Sequence, residues 1–158
     1  MKTIAVDRAE LVRLMKRSFS FTNRLVTYVR YKLGAKLALG SEPSPNTRTV
    51  DCSGYVRWLL YGATLGQTAM PDGSWNQQAW VREQGFEEVP YSDCARRDGR
   101  LRIAFINPRK RKVGHVWLCI SASTIESWGG HGAGRRSWDT PVLRNNVSAC
   151  FVLTDPLP

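Results

Sequence analysis

The chain has 158 residues, of which 23 are Lys or Arg and 13 are Asp or Glu, so its formal charge is +10. A hydrophobic fraction of 42% is typical of a folded domain and excludes a disordered chain. No apolar run approaches the roughly 18 residues that a membrane span requires, and the charged N-terminus lacks the apolar stretch of a signal peptide. We therefore expect a single domain over residues 1–158, whose positive charge attracts an anionic partner.

The first third of the chain carries the signals of two helices. Asp7 and Glu10 fit a capping box in front of an apolar stripe, which predicts a helix within an N-terminal helical extension over residues 1–21. A second helix is predicted over residues 23–33, with Gly34 as its stop.

Two further helices are predicted before the middle of the chain. An irregular loop over residues 40–49 leads to a helix that begins near Cys52 and carries the segment GYVRWLLYGATLG. After another loop over residues 66–74, Ser74 and Gln77 predict the cap of a short helix.

The second half of the chain changes to short apolar runs separated by turn residues. These runs predict strands over residues 101–106, 113–120, 124–128 and 149–154. Helices followed by sequential strands are typical of an α+β fold with an antiparallel sheet.

The four cysteines, Cys52, Cys94, Cys119 and Cys150, are widely spaced. They form no C-x-x-C pair, which argues against a zinc site or a thioredoxin-like motif. Four cysteines are also few for a disulfide scaffold in a chain of this length. We therefore expect free, mostly buried thiols and no bound metal.

Cys52 occupies the segment DCSGYV over residues 51–56, where a polar loop ends and an amphipathic helix begins. At a helix N-terminus, unpaired backbone N–H groups and the positive end of the helix dipole stabilise a thiolate. Gly54 is expected to leave space for a substrate beside the sulfur. A structural cysteine can also begin a helix, so this position makes Cys52 a candidate nucleophile and no more.

His115 is one of two histidines and lies near the start of the predicted strand VGHVWLCI. On that strand His115 and Trp117 face one side of the sheet, and Val116 and Leu118 face the other. A lone histidine in an apolar strand is usually a core residue. Histidine is also the usual base that activates a cysteine, so with Cys52 it predicts a thiolate–imidazolium pair.

A third polar group is expected to orient the imidazole, and two residues are candidates. If a hairpin pairs Trp117 with Glu126, the Glu126 side chain lies diagonally across from His115 and within its reach. His131, in the run GGHG, requires its loop to fold back. We prefer Glu126; the alternative role for Glu126 is an exposed carboxylate paired with an arginine.

These segments resemble the NlpC family of papain-like cell-wall peptidases. DCSGYV is similar to the family's D-C-S-G-hydrophobic-hydrophobic motif, and GHVWLCI followed by TIESWGG is similar to its histidine strand and the strand after it. The resemblance spans residues 22–154. It implies a papain-like α+β core, with N-terminal helices packed on a small antiparallel β-sheet.

The resemblance also implies an activity. Cys52 is expected to attack an amide in peptidoglycan stem or bridge peptides, with His115 as the base and Glu126 as the residue that orients it, and without a cofactor. The family's segment before the cysteine often carries a tyrosine, which residues 33–40 lack. Tyr31 is the candidate substitute.

Three residues are predicted to bind substrate. Ser53 adjoins the nucleophile, and Lys110 and Arg111 belong to the basic run RKRK that ends three residues before His115. Such a run at the rim of a cleft attracts a peptide rich in carboxylates.

Three alternatives stay open. A CHAP-like or transglutaminase-like amidase shares the order of cysteine before histidine, whereas acyl-transferring relatives of this fold are permuted to the opposite order. A module without catalysis would use the basic runs at residues 109–112 and 135–136 to bind nucleic acid or cell wall. Nucleic acid is disfavoured because several of the six tryptophans occupy apparent core positions instead of alternating with basic residues.

The expected partner is peptidoglycan, and the chain is expected to act on the cell wall as a monomer. Because the sequence shows no signal peptide, we expect it to be virion-associated or released by a non-classical route.

Overall fold

The structure, a computed structural model, describes residues 1–19, 29–43, 49–109 and 113–158. In those ranges the helices are α1 (Arg8–Phe19), α2 (Cys52–Ala63), α3 (Ser74–Glu83) and the short α4 (Pro141–Arg144). The predicted helix starts after Asp7 and near Cys52 are confirmed. None of the helices described is long and apolar enough to cross a membrane.

Helix α1 belongs to the main core. The Asp7 carboxylate accepts a hydrogen bond from the Glu10 backbone N–H at 3.0 Å, as expected of the predicted cap. One face of the helix, formed by Leu11, Leu14 and Met15, is buried in the same apolar cluster as α2. The segment predicted as an N-terminal extension therefore packs as part of the domain.

The cap predicted for α3 is wrong. Gly73 is the N-cap residue and has a φ of 84°, a conformation that glycine adopts without strain, while Ser74 is already helical. The buried Gln77 amide instead donates hydrogen bonds to the carbonyl oxygens of Ser53 and Pro71, at 2.9 and 3.0 Å. Gln77 thus ties α3 to the first turn of α2.

The helix predicted over residues 23–33 is also contradicted, in the part of that segment that the structure describes. Residues 23–28 lie outside the described residues, and the rest of the predicted segment contains the short strand β1 (Arg30–Tyr31), paired in parallel with β2 (Thr49–Val50). The backbone N–H of Lys32 donates a hydrogen bond to the Val50 carbonyl oxygen, and that of Ala133 donates to the Val29 carbonyl oxygen. These hydrogen bonds outweigh the weak helical preference of a segment rich in β-branched and aromatic residues.

The predicted antiparallel sheet is confirmed. Six strands pair in the order β3-β8-β4-β5-β6-β7, and each neighbouring pair is antiparallel. The strands are β3 (Glu87–Glu88), β4 (Arg102–Ile106), β5 (His115–Ile120), β6 (Ser123–Trp128), β7 (Gly132–Gly134) and β8 (Ala149–Val152).

Both faces of the sheet are covered, so successive side chains of β5 are buried on opposite sides of the sheet. Val116 and Leu118 belong to the main core beneath α1 and α2. Trp117 and Cys119 face the opposite side, where a 3-10 helix (Tyr91–Ala95) covers them. Since His115 has the same parity as Trp117, its ring stacks against that indole, with the centroids 5.4 Å apart.

Candidate active site

Cys52 is the first residue of α2, and Asp51 is its N-cap. The Asp51 carboxylate accepts hydrogen bonds from the backbone N–H of Gly54 at 2.7 Å and from the Lys36 ammonium. This carboxylate therefore stabilises the helix start from which the Cys52 thiol projects.

The space beside Gly54 is not available to a substrate, contrary to the sequence-based expectation. A Cβ atom at Gly54 would lie 2.9 Å from the Asp51 carboxylate, 2.9 Å from the Lys36 side chain and 3.1 Å from the Ala35 carbonyl oxygen. A glycine is required here so that the cap can close on the first helical turn.

His115 and Glu126 meet on one face of the sheet. The register pairs Leu118 with Ile125, and its continuation sets Trp117 opposite Glu126. His115 Nε2 and Glu126 Oε1 are 2.8 Å apart. The structure thus brings together the two side chains that the hairpin argument paired.

Cys52 is the second group that interacts with the His115 ring. The imidazole is within hydrogen-bonding reach of the Cys52 thiol. Because Nε2 contacts Glu126, Nδ1 is the nitrogen left for the sulfur. The Cys52 side chain is nearly buried, with 5% of its residue surface exposed.

The Glu126 carboxylate is completely buried and contacts two cationic side chains. Besides His115, it accepts hydrogen bonds from Arg136, from Nε to Oε2 at 3.0 Å and from Nη2 to Oε1 at 2.8 Å. Burial by itself raises the pKa of Glu126, but the hydrogen bonds from His115 and Arg136 outweigh burial and hold that pKa below its usual value. Glu126 is therefore ionised at neutral pH.

The same contacts determine the protonation of His115. Burial disfavours the charged imidazole, but hydrogen bonds to Cys52 and Glu126 and their negative charge raise the pKa of His115 to about 9. The imidazolium is thus the main form of His115 at neutral pH.

His131, the other candidate for the third residue, occupies a different position. Its ring stacks on Trp128 with the centroids 4.2 Å apart and an interplanar angle of 8°. Glu126, not His131, is the residue in contact with His115 Nε2.

A cleft of about 300 Å³ opens beside the His115 ring. Its walls combine aromatic, basic and aliphatic side chains, among them Tyr31, Val113, Trp128, Arg136 and Val142. Burial, followed by the negative charges of Cys52 and Asp51, raises the pKa of Tyr31 to about 12. Tyr31, on β1, thus lies close enough to Cys52 and Asp51 to experience their charge, and its role as substitute for the tyrosine absent from residues 33–40 stays a prediction.

The residues predicted to bind substrate have different outcomes. The buried Ser53 hydroxyl donates to the Asp51 carboxylate at 3.2 Å and accepts from Lys36 Nζ at 3.0 Å, so it is engaged within the cap. Lys110 and Arg111 lie outside the described residues. Substrate binding by these three residues stays a prediction.

Two contributors were not found by sequence reasoning. Arg136 was considered only as part of a surface basic run, yet its guanidinium turns inward to Glu126. Lys36 supports Asp51 from a loop 15 residues earlier. A buried strand carboxylate requires a cation, but nothing in the local pattern says which arginine supplies it.

The prediction of free, buried thiols is confirmed for all four cysteines. The three besides Cys52, namely Cys94, Cys119 and Cys150, cluster beside Trp117 at the 3-10 helix, and the sulfurs of Cys94 and Cys150 are 3.9 Å apart. Within the described ranges, no group of three or more His, Cys, Asp or Glu side chains has the arrangement of a metal site.

Comparison with solved structures finds similar folds over nearly the whole chain. The P60 domain of an antigen from Mycobacterium avium subspecies paratuberculosis superimposes with a TM-score of 0.55 at 20% identity, covering 95% of this chain and 94% of that one. A Staphylococcus aureus protein described as similar to a lipoprotein of the NLP/P60 family gives a TM-score of 0.56 at 17% identity. This chain has the NlpC/P60 fold. The predicted papain-like core is thereby confirmed.

The extent of these matches differs. The alignment with the S. aureus protein covers 92% of this chain but 41% of that one, so the chain spans about two fifths of its length. The peptidoglycan hydrolase RipB from Mycobacterium tuberculosis aligns more loosely, with a TM-score of 0.47 at 19% identity over 96% of this chain and 68% of that one. The sequence matches no protein-family model and no curated protein.

Proposed function

We propose that this chain is a cysteine peptidase or amidase of the NlpC/P60 family that cleaves amide bonds in peptidoglycan stem or bridge peptides. The observation that carries the proposal is the arrangement of Cys52, at a helix N-terminus, beside a histidine that a buried Glu126 holds by Nε2. The NlpC/P60 fold and the resemblance of the cysteine and histidine segments to that family support the choice of substrate.

The charges of these side chains suit nucleophilic catalysis. The Cys52 thiolate attacks the amide carbonyl, and the developing oxyanion accepts hydrogen bonds from backbone N–H groups at the start of α2. Protonated His115 then donates its proton to the leaving amine, which leaves a thioester on Cys52. His115 next takes a proton from a water molecule, the water attacks the thioester, and the thiolate leaves.

The basic run RKRK is proposed to contribute to binding and not to the chemical step. Stem peptides carry free carboxylates, so the positive charges of Lys110 and Arg111 are proposed to attract them. The proposed site of action is the cell wall, and the proposed acting form is the monomer.

Purified peptidoglycan provides the test. Cys52→Ala is expected to abolish the release of soluble fragments without changing the fold, because it removes the nucleophile alone. Cys94→Ala is the matched control, since it removes another buried thiol, one whose neighbours are Cys119 and Cys150, and each variant is checked by thermal unfolding. Cleavage by Cys52→Ala at the wild-type rate would refute the proposal. Mass spectrometry of digests from Gram-negative and Gram-positive peptidoglycan identifies the bond that is cut.

A further inference from the structure

We propose that Arg136 is a positioning residue, which keeps the buried Glu126 ionised and oriented so that Glu126 can hold His115 toward Cys52. The inference rests on the proposed function for its catalytic consequence. It extends the proposed triad of Cys52, His115 and Glu126 by a fourth side chain, Arg136, whose positive charge contacts the Glu126 carboxylate.

The geometry of the Arg136 contact is specific. Two guanidinium nitrogens each donate to a different carboxylate oxygen, Nε to Oε2 at 3.0 Å and Nη2 to Oε1 at 2.8 Å. Such a two-point contact fixes the plane of the carboxylate as well as its charge. Oε1, the oxygen that Arg136 Nη2 contacts, is also the one that faces His115 Nε2 at 2.8 Å. The position of Arg136 therefore affects the atom that orients the imidazole.

The charge balance explains why a second cation is needed. The Glu126 side chain has no exposed surface, and an unpaired carboxylate in such surroundings takes up a proton instead of staying charged. When the proposed mechanism forms a Cys52 thiolate, His115 can neutralise that thiolate or Glu126, but not both. Arg136 supplies the second positive charge beside Glu126.

Arg136 is itself held in place by β6. Its backbone N–H donates to Thr124 Oγ1 at 3.0 Å, and its carbonyl accepts from the Thr124 backbone N–H at 2.9 Å. Its guanidinium lies over the Trp128 ring, 4.6 Å from the centroid, and His131 stacks on that same indole. Backbone and ring contacts thus orient the guanidinium independently of Glu126.

Two other titratable groups that experience the charge of Glu126 do not ionise in the acid range. Tyr91 and Cys119 both experience the charge of Glu126, and the pKa of each is raised above its usual value, by burial first for Tyr91 and by contact with Cys94 first for Cys119. Both are therefore neutral below pH 7 or so. Protonation of Glu126 is the event that Arg136 controls on the acid side.

The experiment compares wild type, Arg136→Met and Arg136→Lys, with Arg135→Met as the matched control. Arg135 is exposed, and its Nε donates to the Thr124 carbonyl rather than to Glu126. The first readout is the NMR titration of His115, which requires no substrate and is simple because the chain has two histidines. The second is the dependence of kcat and KM on pH with peptidoglycan fragments.

Removal of Arg136 is expected to move the acid-side inflection of His115, which reports the protonation of Glu126, to higher pH by about one unit or more. The acid limb of kcat should move with it, while KM changes little. Arg136→Lys restores the charge without the two-point contact and should recover part of the shift. Arg135→Met should leave the titration unchanged.

An unchanged His115 titration in folded Arg136→Met would overturn the proposal, because a merely structural ion pair lowers stability without moving that inflection. If Arg136→Met does not fold, the double variant Glu126→Gln/Arg136→Met removes both charges and is compared with Glu126→Gln alone. A further change of the His115 titration on removing Arg136 in that background would also overturn the proposal, since Arg136 would then act other than through Glu126. If wild type cleaves no peptidoglycan, the proposed function fails, but the titration still decides the role of Arg136.

Discussion

Glu126→Gln isolates the charge that acts on His115. The substitution preserves the size of the side chain but removes a carboxylate whose Oε1 is 2.8 Å from His115 Nε2. An opposite charge this close shifts a pKa by roughly one to three units, which corresponds to about 1.4 to 4 kcal/mol. Starting from a pKa of about 9, we expect His115 in the variant to titrate near neutrality.

The sign and size of the effect on activity follow from that shift. Proton donation to the leaving amine requires the imidazolium, so activity is lost as pH rises through the pKa of His115. For a shift of about two units, the protonated fraction at about pH 8 falls from roughly nine tenths to roughly one tenth. The alkaline limb of kcat should therefore move to lower pH, with about a tenfold loss of kcat at about pH 8.

The assay is NMR titration of the imidazole signals together with kcat as a function of pH. His131→Asn is the control, since it removes the ring that stacks on Trp128 and assigns the His115 signal. Its His115 titration is expected to match that of wild type. A folded Glu126→Gln variant in which His115 titrates as in wild type would refute the electrostatic role given to Glu126.

Three further predictions follow from the site. Iodoacetamide should modify Cys52 before the three thiols clustered at the 3-10 helix, which are at most 1% exposed. Mass spectrometry of the labelled peptides measures the order, and uniform labelling would contradict an activated thiol. Gly54→Ala should lower the free energy of unfolding by roughly 1 to 3 kcal/mol, because its Cβ would lie 2.9 Å from the Asp51 carboxylate, and an unchanged melting temperature would count against that contact. Neutralising Lys110 and Arg111 should weaken substrate binding more at low salt than at high salt, and a defect independent of salt would argue against steering.

Several features of the site could be predicted because their causes are local. A helix start is encoded by a few adjacent residues, so Cys52 was correctly assigned to the N-terminus of α2. Strand alternation and a short hairpin decide which side chains share a face, which is why the meeting of Glu126 and His115 could be anticipated.

Other predictions were wrong because contacts between distant segments outweigh local conformational preference. The prediction of a helix over residues 23–33 missed the pairing of Arg30–Tyr31 with β2, because a local sequence pattern does not show which distant segment a strand pairs with. Gly54 was correctly singled out but for the wrong reason, because the Lys36 loop that fills the space beside it comes from elsewhere in the chain.

The net charge of +10 is a property of the sequence, and it was sufficient to predict an anionic partner. The sequence also determined the candidate nucleophile and base, since capping and alternation are short-range effects. Only the tertiary structure decided which positive charges serve the site. Arg135 is exposed, whereas its neighbour Arg136 turns inward because a buried carboxylate and the face of Trp128 are both within its reach. A buried charge requires a partner, and the fold, not the position in the sequence, supplies it.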